Sequence, residues 1–499
     1  MKKILSTTII ALIVLIGLTV SVNAAAVTTQ EGFMTAVENK EKFSIAKDIT
    51  IVLENDITIA NEVTIGAFSG KGNTVTLDLN GHTVKFDGSS AYFYVQNTGT
   101  LEIKDSVGGG KITNAGATNS KSYIIQVKGN IIINGGTIEN AIASKTALYI
   151  QNGDKKQATC VLNEGTILNS YDKSGRAIQV GKDATFTMNG GKVINKATGT
   201  AGTVPAIEGQ SGKIIINGGT IESEGTGIYS TVEVLITGGT IDAGWFAFEG
   251  RDITVAPAEG KTVKVSAGEI TEDAVAKEKA AIFKTMGKAP ALPDAKNEIL
   301  GGEFKAPRVI ATSSLDDENA VISGGTFTAD VSEYLDEDAI YAEDEDGNMT
   351  VFVPVELDAP ANLKWDETTA KWDAVSNATG YTVILYNGDQ IIEVFSLKDT
   401  KLDLNKYITK KDGKYNFAVF AQGDEKTYLD SEIVASAVYE FPVAEEPTTS
   451  GQGTAEKEPA KDETPKTGAM DIALYVLGAI ALVSIVGTIK AKKPGKYSK

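Results

Sequence analysis

The stretch IIINGGTIEN (131–140) decides the fold, because close copies of it recur along the chain. The copies are CVLNEGTILN (160–169), FTMNGGKVIN (186–195), IIINGGTIES (214–223) and VLITGGTIDA (234–243). Their second glycine slots, with an earlier one at position 110, are spaced by 26, 29, 26, 28 and 20 residues. Apolar residues alternate with other residues in each copy, which is the two-residue period of a β-strand. A repeat of this length predicts successive coils that each contain several short strands.

A second apolar segment follows the glycines of each copy after about ten residues. These segments are IIQV (124–127), ALYI (147–150), AIQV (177–180), AIEG (206–209), GIYS (227–230) and AFEG (247–250). Their residues alternate in the same way, so we interpret them as strands as well.

Two architectures compete for this pattern. Asn-Gly and Gly-Gly pairs favour two-residue turns, and therefore a string of antiparallel hairpins. Hairpins leave the recurrence of like residues unexplained, whereas parallel stacking places Ile131 over Cys160 and Ile133 over Leu162. Parallel stacking also predicts a ladder of side-chain amides, and glycine permits the positive φ of a corner between strands. The asparagines of this ladder are Asn134, Asn163, Asn189 and Asn217.

The sequence thus predicts an all-β chain with a parallel solenoid, which resembles the right-handed parallel β-helix of the pectate-lyase-like architecture. The repeats cover roughly 45–330, and the domain with its end caps covers 27–355. We expect a short amphipathic helix over 32–41 to close the first coil. A hairpin over 332–355, with EDEDGN at its turn, is expected at the other end. The pattern of 271–286 predicts a helical insertion.

The sequence pattern changes over 357–441, where turn residues separate seven short segments in which apolar and polar residues alternate. This pattern is typical of a β-sandwich. The positions of its aromatic residues resemble a fibronectin type III domain, and the resemblance implies that Trp372 is core and that Tyr415 forms the tyrosine corner. We expect this domain to act as a spacer. Residues 442–463, rich in Pro, Glu, Lys and Thr, predict an extended linker.

The N-terminus has the composition of a secretory leader. Lys2 and Lys3 precede an apolar run from Ile4 to Val20, and small residues follow. This order predicts a signal peptide over 1–24. Cleavage after Ala24, or two residues later, leaves a small residue at the cut.

The C-terminus combines three features in a fixed order. TPKTG (464–468) precedes eighteen uncharged residues from Ile472 to Ile489, and a lysine-rich tail ends the chain. Such a span is just long enough to cross a bilayer, with the lysines on the cytoplasmic side. The order over 464–499 resembles the sorting signal of Gram-positive wall-anchored proteins. The resemblance implies a sorting motif of Thr464, Pro465 and Lys466 before a sortase cleavage between Thr467 and Gly468, with covalent linkage to peptidoglycan; Thr464 stands where that family has leucine.

Composition removes many function classes. A net charge of −18 argues against a nucleic-acid partner. One cysteine and one histidine exclude a disulfide framework, a cysteine-ligated zinc site and a two-histidine metal site. We therefore predict no cofactor and no metal.

Two outward columns are candidate binding surfaces. In the second strands, polar and aromatic residues predict hydrogen bonds to sugar hydroxyls and flat faces for pyranose rings, although solvated outer positions explain the same pattern. This column contains Gln126, Tyr149, Gln179, Glu208, Tyr229 and Glu249, with Trp245 and Arg251 beside it. The first strands give a mainly apolar column, which suggests a covering loop, a partner or a neighbouring molecule, although β-propensity alone also explains it. That column contains Ile132, Val161, Thr187, Ile215 and Leu235.

Catalysis is the less favoured alternative. Glu208 and Glu249 lie two coils apart, about 9.6 Å from the strand spacing. That separation is near the upper limit for an inverting glycosidase pair. Polysaccharide lyases of this architecture use clustered aspartates with calcium and a basic residue, and the Asp clusters here lie outside the repeats. We predict no catalytic residues and expect a secreted, wall-anchored adhesin or glycan-binding protein, with a polysaccharide lyase or hydrolase, or a passive stalk, as alternatives.

Overall fold

The fold is described from a computed structural model. The structure describes residues 24–36, 48–66, 72–117, 121–153, 157–199, 204–285, 297–311, 320–409, 413–424 and 427–439. The predicted leader up to residue 23, the linker over 442–463 and the sorting signal over 464–499 lie outside these residues. The chain forms two compact units, one of Met1–Val321 with Phe327–Asp330 and one of Ile322–Thr326 with Val331–Lys499.

The first unit is a parallel β-solenoid of about 10 turns, as the repeats predicted. Its strands form three parallel sheets, which we call sheets I, II and III in the order in which a coil passes through them. The winding hand stays a prediction. Sheet I contains Ala24–Val27, Ile49–Leu53, Asn73–Asp78, Gly99–Lys104, Ala184–Met188, Lys213–Ile216, Val234–Ile236, Ile253–Val255 and the first halves of Asn130–Asn140, Ala158–Asn169 and Asn297–Lys305.

Sheet II follows the glycine corner of each coil. It contains Ile57–Ile59, Thr83–Phe86, Lys111–Thr113, Lys192–Asn195, Thr220–Ser223, Gly239–Ala243, Val263–Ala267 and the second halves of the three long strands. Sheet III has nine strands. They are Glu62–Ile65, Tyr92–Val95, Tyr123–Val127, Thr146–Ile150, Arg176–Val180, Pro205–Gly209, Thr226–Ser230, Phe246–Gly250 and Ala281–Thr285. Ala320–Phe327 lies beyond Asn297–Lys305, and Phe304 and Phe327 stack with ring centroids 4.8 Å apart.

The predicted register of the core is confirmed. Ile131 pairs with Cys160, which pairs in turn with Phe186, and Phe186 pairs with Ile214. All four side chains are fully buried. The neighbouring column of Ile133, Leu162, Met188 and Ile216 is buried as well. Alternate residues along each sheet I strand point into the coil, so both columns belong to the core. Burial raises the pKa of the Cys160 thiol, so this cysteine behaves as a core residue.

The predicted asparagine ladder is confirmed. The Nδ2 of Asn163 donates to the Oδ1 of Asn134 at 2.8 Å, and Asn189 and Asn217 continue the series at 2.9 Å each. The corner glycines adopt positive φ, as at Gly165 (89°) and Gly191 (70°). A Cβ on Gly191 would lie 2.6 Å from the carbonyl oxygen of Gly165, so stacked corners also leave no room for a side chain.

A second ladder, not singled out from the sequence, lies inside the coil at the end of the sheet II strands. Asn114 donates to Asn140 at 2.9 Å, Asn140 to Asn169 at 2.6 Å, and Asn169 to Asn195 at 2.7 Å. All four asparagines are buried, at most 1% exposed. The amides of Asn140, Asn169 and Asn195 also donate to backbone carbonyls, those of Ile142, Tyr171 and Pro205, so these three buried amides are well satisfied.

The helix predicted over 32–41 begins earlier, as Gln30–Ala36. Its Phe33 is fully buried, with its ring centroid 5.8 Å from that of Phe93. The prediction for 271–286 is wrong in part. Only Ala274–Lys279 is helical, capped by the Asp273 carboxylate, and Ala281–Thr285 is a strand of sheet III. The chain therefore returns to the solenoid after a helix of only six residues.

The second unit contains an antiparallel hairpin of Ile340–Glu343 and Met349–Phe352, the secondary structure that the sequence predicted there. At its turn the Asp344 carboxylate accepts hydrogen bonds from the backbone of Asp346 and Asn348. These contacts hold the pKa of Asp344 below its usual value, led by the hydrogen bond from the Asn348 side chain.

Three small sheets follow the hairpin, and two of them are antiparallel and share a core around Trp372 and Tyr415. The parallel pair is Val355–Glu356 with Tyr428–Leu429. The three-stranded sheet contains Lys364–Asp366, Thr369–Lys371 and Lys401–Asp403. The four-stranded sheet contains, in spatial order, Gln390–Leu397, Gly380–Asn387, Tyr415–Gln422 and Val434–Ala435.

Candidate functional site

The polar column predicted on the second strands lies on the outer face of sheet III. Parallel pairing puts each member one coil after the last, without a gap. Its six members are Gln126, Tyr149, Gln179, Glu208, Tyr229 and Glu249. Tyr94 precedes them and Lys284 follows them in the same register. The sequence thus predicted the alignment, and the structure extends the column at both ends.

The members of the column differ in exposure. Tyr149, Gln179, Tyr229 and Glu249 are half-buried, whereas Gln126 and Glu208 are each 7% exposed. Gln126 lies between the tyrosines Tyr94 and Tyr149, and Glu208 is held by Arg176 and Gln210, so the neighbours of each residue account for its burial. Only four of the six members of the column are therefore accessible.

Both carboxylates of the column are paired with cations on the same sheet. Glu208 forms an ion pair with the Nε of Arg176 and accepts a hydrogen bond from Gln210 at 2.8 Å. Glu249 lies 2.9 Å from the Nζ of Lys284. These pairs neutralise the two carboxylates of the column.

One residue expected beside the column is not available to a ligand. Trp245 is 9% exposed and packs against Phe246, Ala276 and Ala281, so its ring belongs to a small core under the helix. The sequence placed it correctly next to the column but did not show that the helical segment would cover it. Arg251 is half-buried.

Three tyrosines missed by the sequence analysis stand next to the column, on its N-terminal side. Tyr92, Tyr94 and Tyr123 form a chain of ring contacts that ends at Tyr149. Aligning AYFYV (91–95) with the later second strands would have revealed two of them, since YFYV occupies the same slot as IIQV.

The mainly apolar column lies on the outer face of sheet I, in the predicted register. Its side chains are half-buried. Glu102 precedes Ile132 and Thr254 follows Leu235, so the apolar part is bounded by polar residues at both ends.

A pocket of about 200 Å³ opens on sheet II, and its lining is acidic. Glu222 and Asp242 are paired neighbours on adjacent strands, and Glu224 completes the acidic lining. Burial raises the pKa of Asp242, and the charges of Glu222 and Glu269 add to this effect. Aligning TIES with TIDA would have shown the neighbouring carboxylates. Across the described residues, no three potential ligands converge as a metal site requires.

The residues of the sorting motif, Thr464, Pro465, Lys466, Thr467 and Gly468, lie outside the described part of the chain. Within that part, no helix has the length and apolar character needed to cross a bilayer. No family model matches this chain, and no curated protein or solved structure does so either.

Proposed function

We propose that this chain is a secreted protein, anchored covalently to the cell wall, whose solenoid binds a glycan along the outer face of sheet III. The observation that carries the proposal is the unbroken column of amide, carboxylate and aromatic side chains on that face. Amides and hydroxyls donate to and accept from sugar hydroxyls, and tyrosine rings give flat surfaces for the apolar faces of pyranoses. A straight sheet offers these groups at the regular intervals of a polymer.

The charges favour binding over catalysis. A general acid must hold a transferable proton and a general base must reach its water, but Glu208 and Glu249 are each engaged by a cation. The same ion pairs neutralise the two carboxylates of the column, which suits a neutral sugar. A polysaccharide lyase or hydrolase therefore remains the alternative and not the proposal.

The domain over 357–441 is proposed as a spacer of the fibronectin type III class. Its division into sheets of three and four antiparallel strands, around the buried Trp372 and Tyr415, supports this assignment. Together with the linker of 442–463, it would carry the solenoid away from the anchoring point.

A glycan array probed with the full-length chain tests the binding proposal. We expect retention on at least one neutral oligosaccharide, with the bound sugar recovered intact when analysed by mass. Recovery of shorter sugars would support the enzymatic alternative. Retention of none of them, with attachment to cells that is lost on changing Ile132 or Ile215 to Ser, would contradict glycan binding and favour a protein partner on sheet I.

Replacement of Thr467 by Ala tests the anchor. The sortase reaction joins the threonine carbonyl to the wall, so we expect the variant to leave the fraction that boiling detergent does not extract and to shift to membrane or medium. Lys466→Ala is the matched control, because the corresponding position of the motif is variable, and it should stay wall-linked. Thr467→Ala protein that remains covalently bound to peptidoglycan would rule out cleavage at this site.

A further inference from the structure

Four tyrosines stand together on the outer face of sheet III, across three consecutive coils. We call Tyr92, Tyr94, Tyr123 and Tyr149 the tyrosine cluster. The ring centroids of Tyr92 and Tyr123 are 5.4 Å apart, and those of Tyr123 and Tyr149 are 5.7 Å apart with 34° between the ring planes. Tyr92 and Tyr94 are 6.1 Å apart on one strand. Such a row of rings on a solvated face needs an explanation beyond core packing.

Half of the cluster is engaged within the protein. The Lys121 ammonium lies 5.0 Å from the centre of the Tyr92 ring, and the Lys128 ammonium lies 5.8 Å from that of Tyr94. Tyr92 is only 5% exposed, and its hydroxyl donates to Glu62 at 2.7 Å. These two rings support the cluster and already hold a cation.

The other half is accessible. Tyr123 and Tyr149 are half-buried, and among the residues that the structure describes no cation lies over either ring. The Tyr149 hydroxyl donates to the Oε1 of Gln151 at 2.7 Å, which fixes the ring in place. Burial raises the pKa of both hydroxyls. A ring that is held before binding loses less conformational entropy when a ligand arrives.

We propose that Tyr123 and Tyr149 form a stacking subsite for two consecutive pyranose rings of a neutral oligosaccharide. The 5.7 Å between their centroids is close to the length of one pyranose residue in an extended chain. Gln179 follows Tyr149 in the same outward column and provides an amide for hydroxyls of the next sugar. The inference rests on the proposed function and locates its main contact at the N-terminal half of the column.

A neutral ligand is favoured by how the nearby charges are used. Glu208 and Glu249 have cationic partners, so the carboxylates of the column carry no uncompensated charge. An acidic sugar would be repelled by the Glu62 carboxylate beside Tyr92 and by the net charge of −18.

Titration calorimetry of the full-length chain, purified in mild detergent, tests the subsite. The probes are neutral tetrasaccharides of glucose, mannose, galactose or N-acetylglucosamine, with an acidic tetragalacturonide for comparison. For the tetrasaccharide that binds, we expect Tyr123→Ala and Tyr149→Ala each to raise the Kd about fivefold, and the double variant more than tenfold, because one aromatic contact is worth about 1 kcal/mol. Tyr149→Phe keeps the ring and should stay within about threefold.

Tyr171→Ala is the matched control. Tyr171 is also half-buried but lies outside sheet III, in the turn after Ala158–Asn169. It should change the Kd less than twofold, and unchanged thermal melting will show that each variant folds. Binding that survives the double variant but is lost in Tyr229→Ala would overturn this subsite and leave the proposed function standing. Binding only of acidic sugars would overturn the neutral ligand, whereas binding of no sugar at all would overturn both proposals.

Discussion

Ile216→Asp will lower the free energy of unfolding by about 4 kcal/mol or more, the largest effect expected for a single change in the solenoid. Ile216 is 1% exposed and stands in the inward column between Met188 and Ile236. A carboxylate at this place has no cation to pair with and loses its water. Because each coil contacts mainly its neighbours, the damage should spread to the coils on both sides.

Guanidinium denaturation followed by circular dichroism measures this loss. Ile215→Asp is the matched control, since Ile215 is the preceding residue on the same strand and points outward. We expect it to cost less than about 1.5 kcal/mol, because its carboxylate reaches water. Equal losses for the two variants would mean that the strand does not face the core as described.

Asn169→Ala will have the next largest effect, about 3 kcal/mol. The Asn169 side chain accepts a hydrogen bond from Asn140 and donates one to Asn195, in a setting that excludes water. Its removal takes an acceptor from the Asn140 amide and a donor from the carbonyls of Tyr171 and Ser174, whereas the Asn195 oxygen keeps the bond from the Ala197 backbone. Each buried group left unsatisfied costs about 1 to 3 kcal/mol. Thermal and chemical unfolding of the variant give the magnitude.

Asn189→Ala provides the comparison, because Asn189 occupies the equivalent place in the outer ladder. It also bonds one asparagine on each side, Asn163 and Asn217, but these bonds are exposed. Water can replace them, so we expect a loss below about 1 kcal/mol. If the outer variant proves as costly as the buried one, desolvation is not what makes the inner ladder important.

The register could be predicted from the sequence because the same motif recurs with its glycine corner. A parallel stack fixes which residues are neighbours once one pair is aligned, so the columns of Ile131 and Gln126 followed directly. The strand Ala281–Thr285 was missed for the opposite reason. It matches no copy of the motif closely, and the helical turn before it has the stronger pattern.

The accessible surface could not be predicted in the same way. Alternation shows which face a residue occupies, but exposure depends on the heights of side chains from the coils above and below. Gln126 and Glu208 are outward and nevertheless buried, and Trp245 is covered by a segment distant from its own strand. The tyrosine cluster depends on contacts across coils, which become evident only when ring positions are known.

The two asparagine ladders have opposite polarity. In the outer ladder each amide donates toward the N-terminus, ending on Glu102, whereas in the buried ladder each donates toward the C-terminus. Every asparagine therefore contributes one donor and one acceptor to its own ladder. A gene duplication that adds one whole coil would lengthen both ladders and leave no amide unmatched, while a partial coil would break both. Length is thus a quantity that evolution can adjust in whole steps, and the reach of the molecule can change without a new core having to be invented.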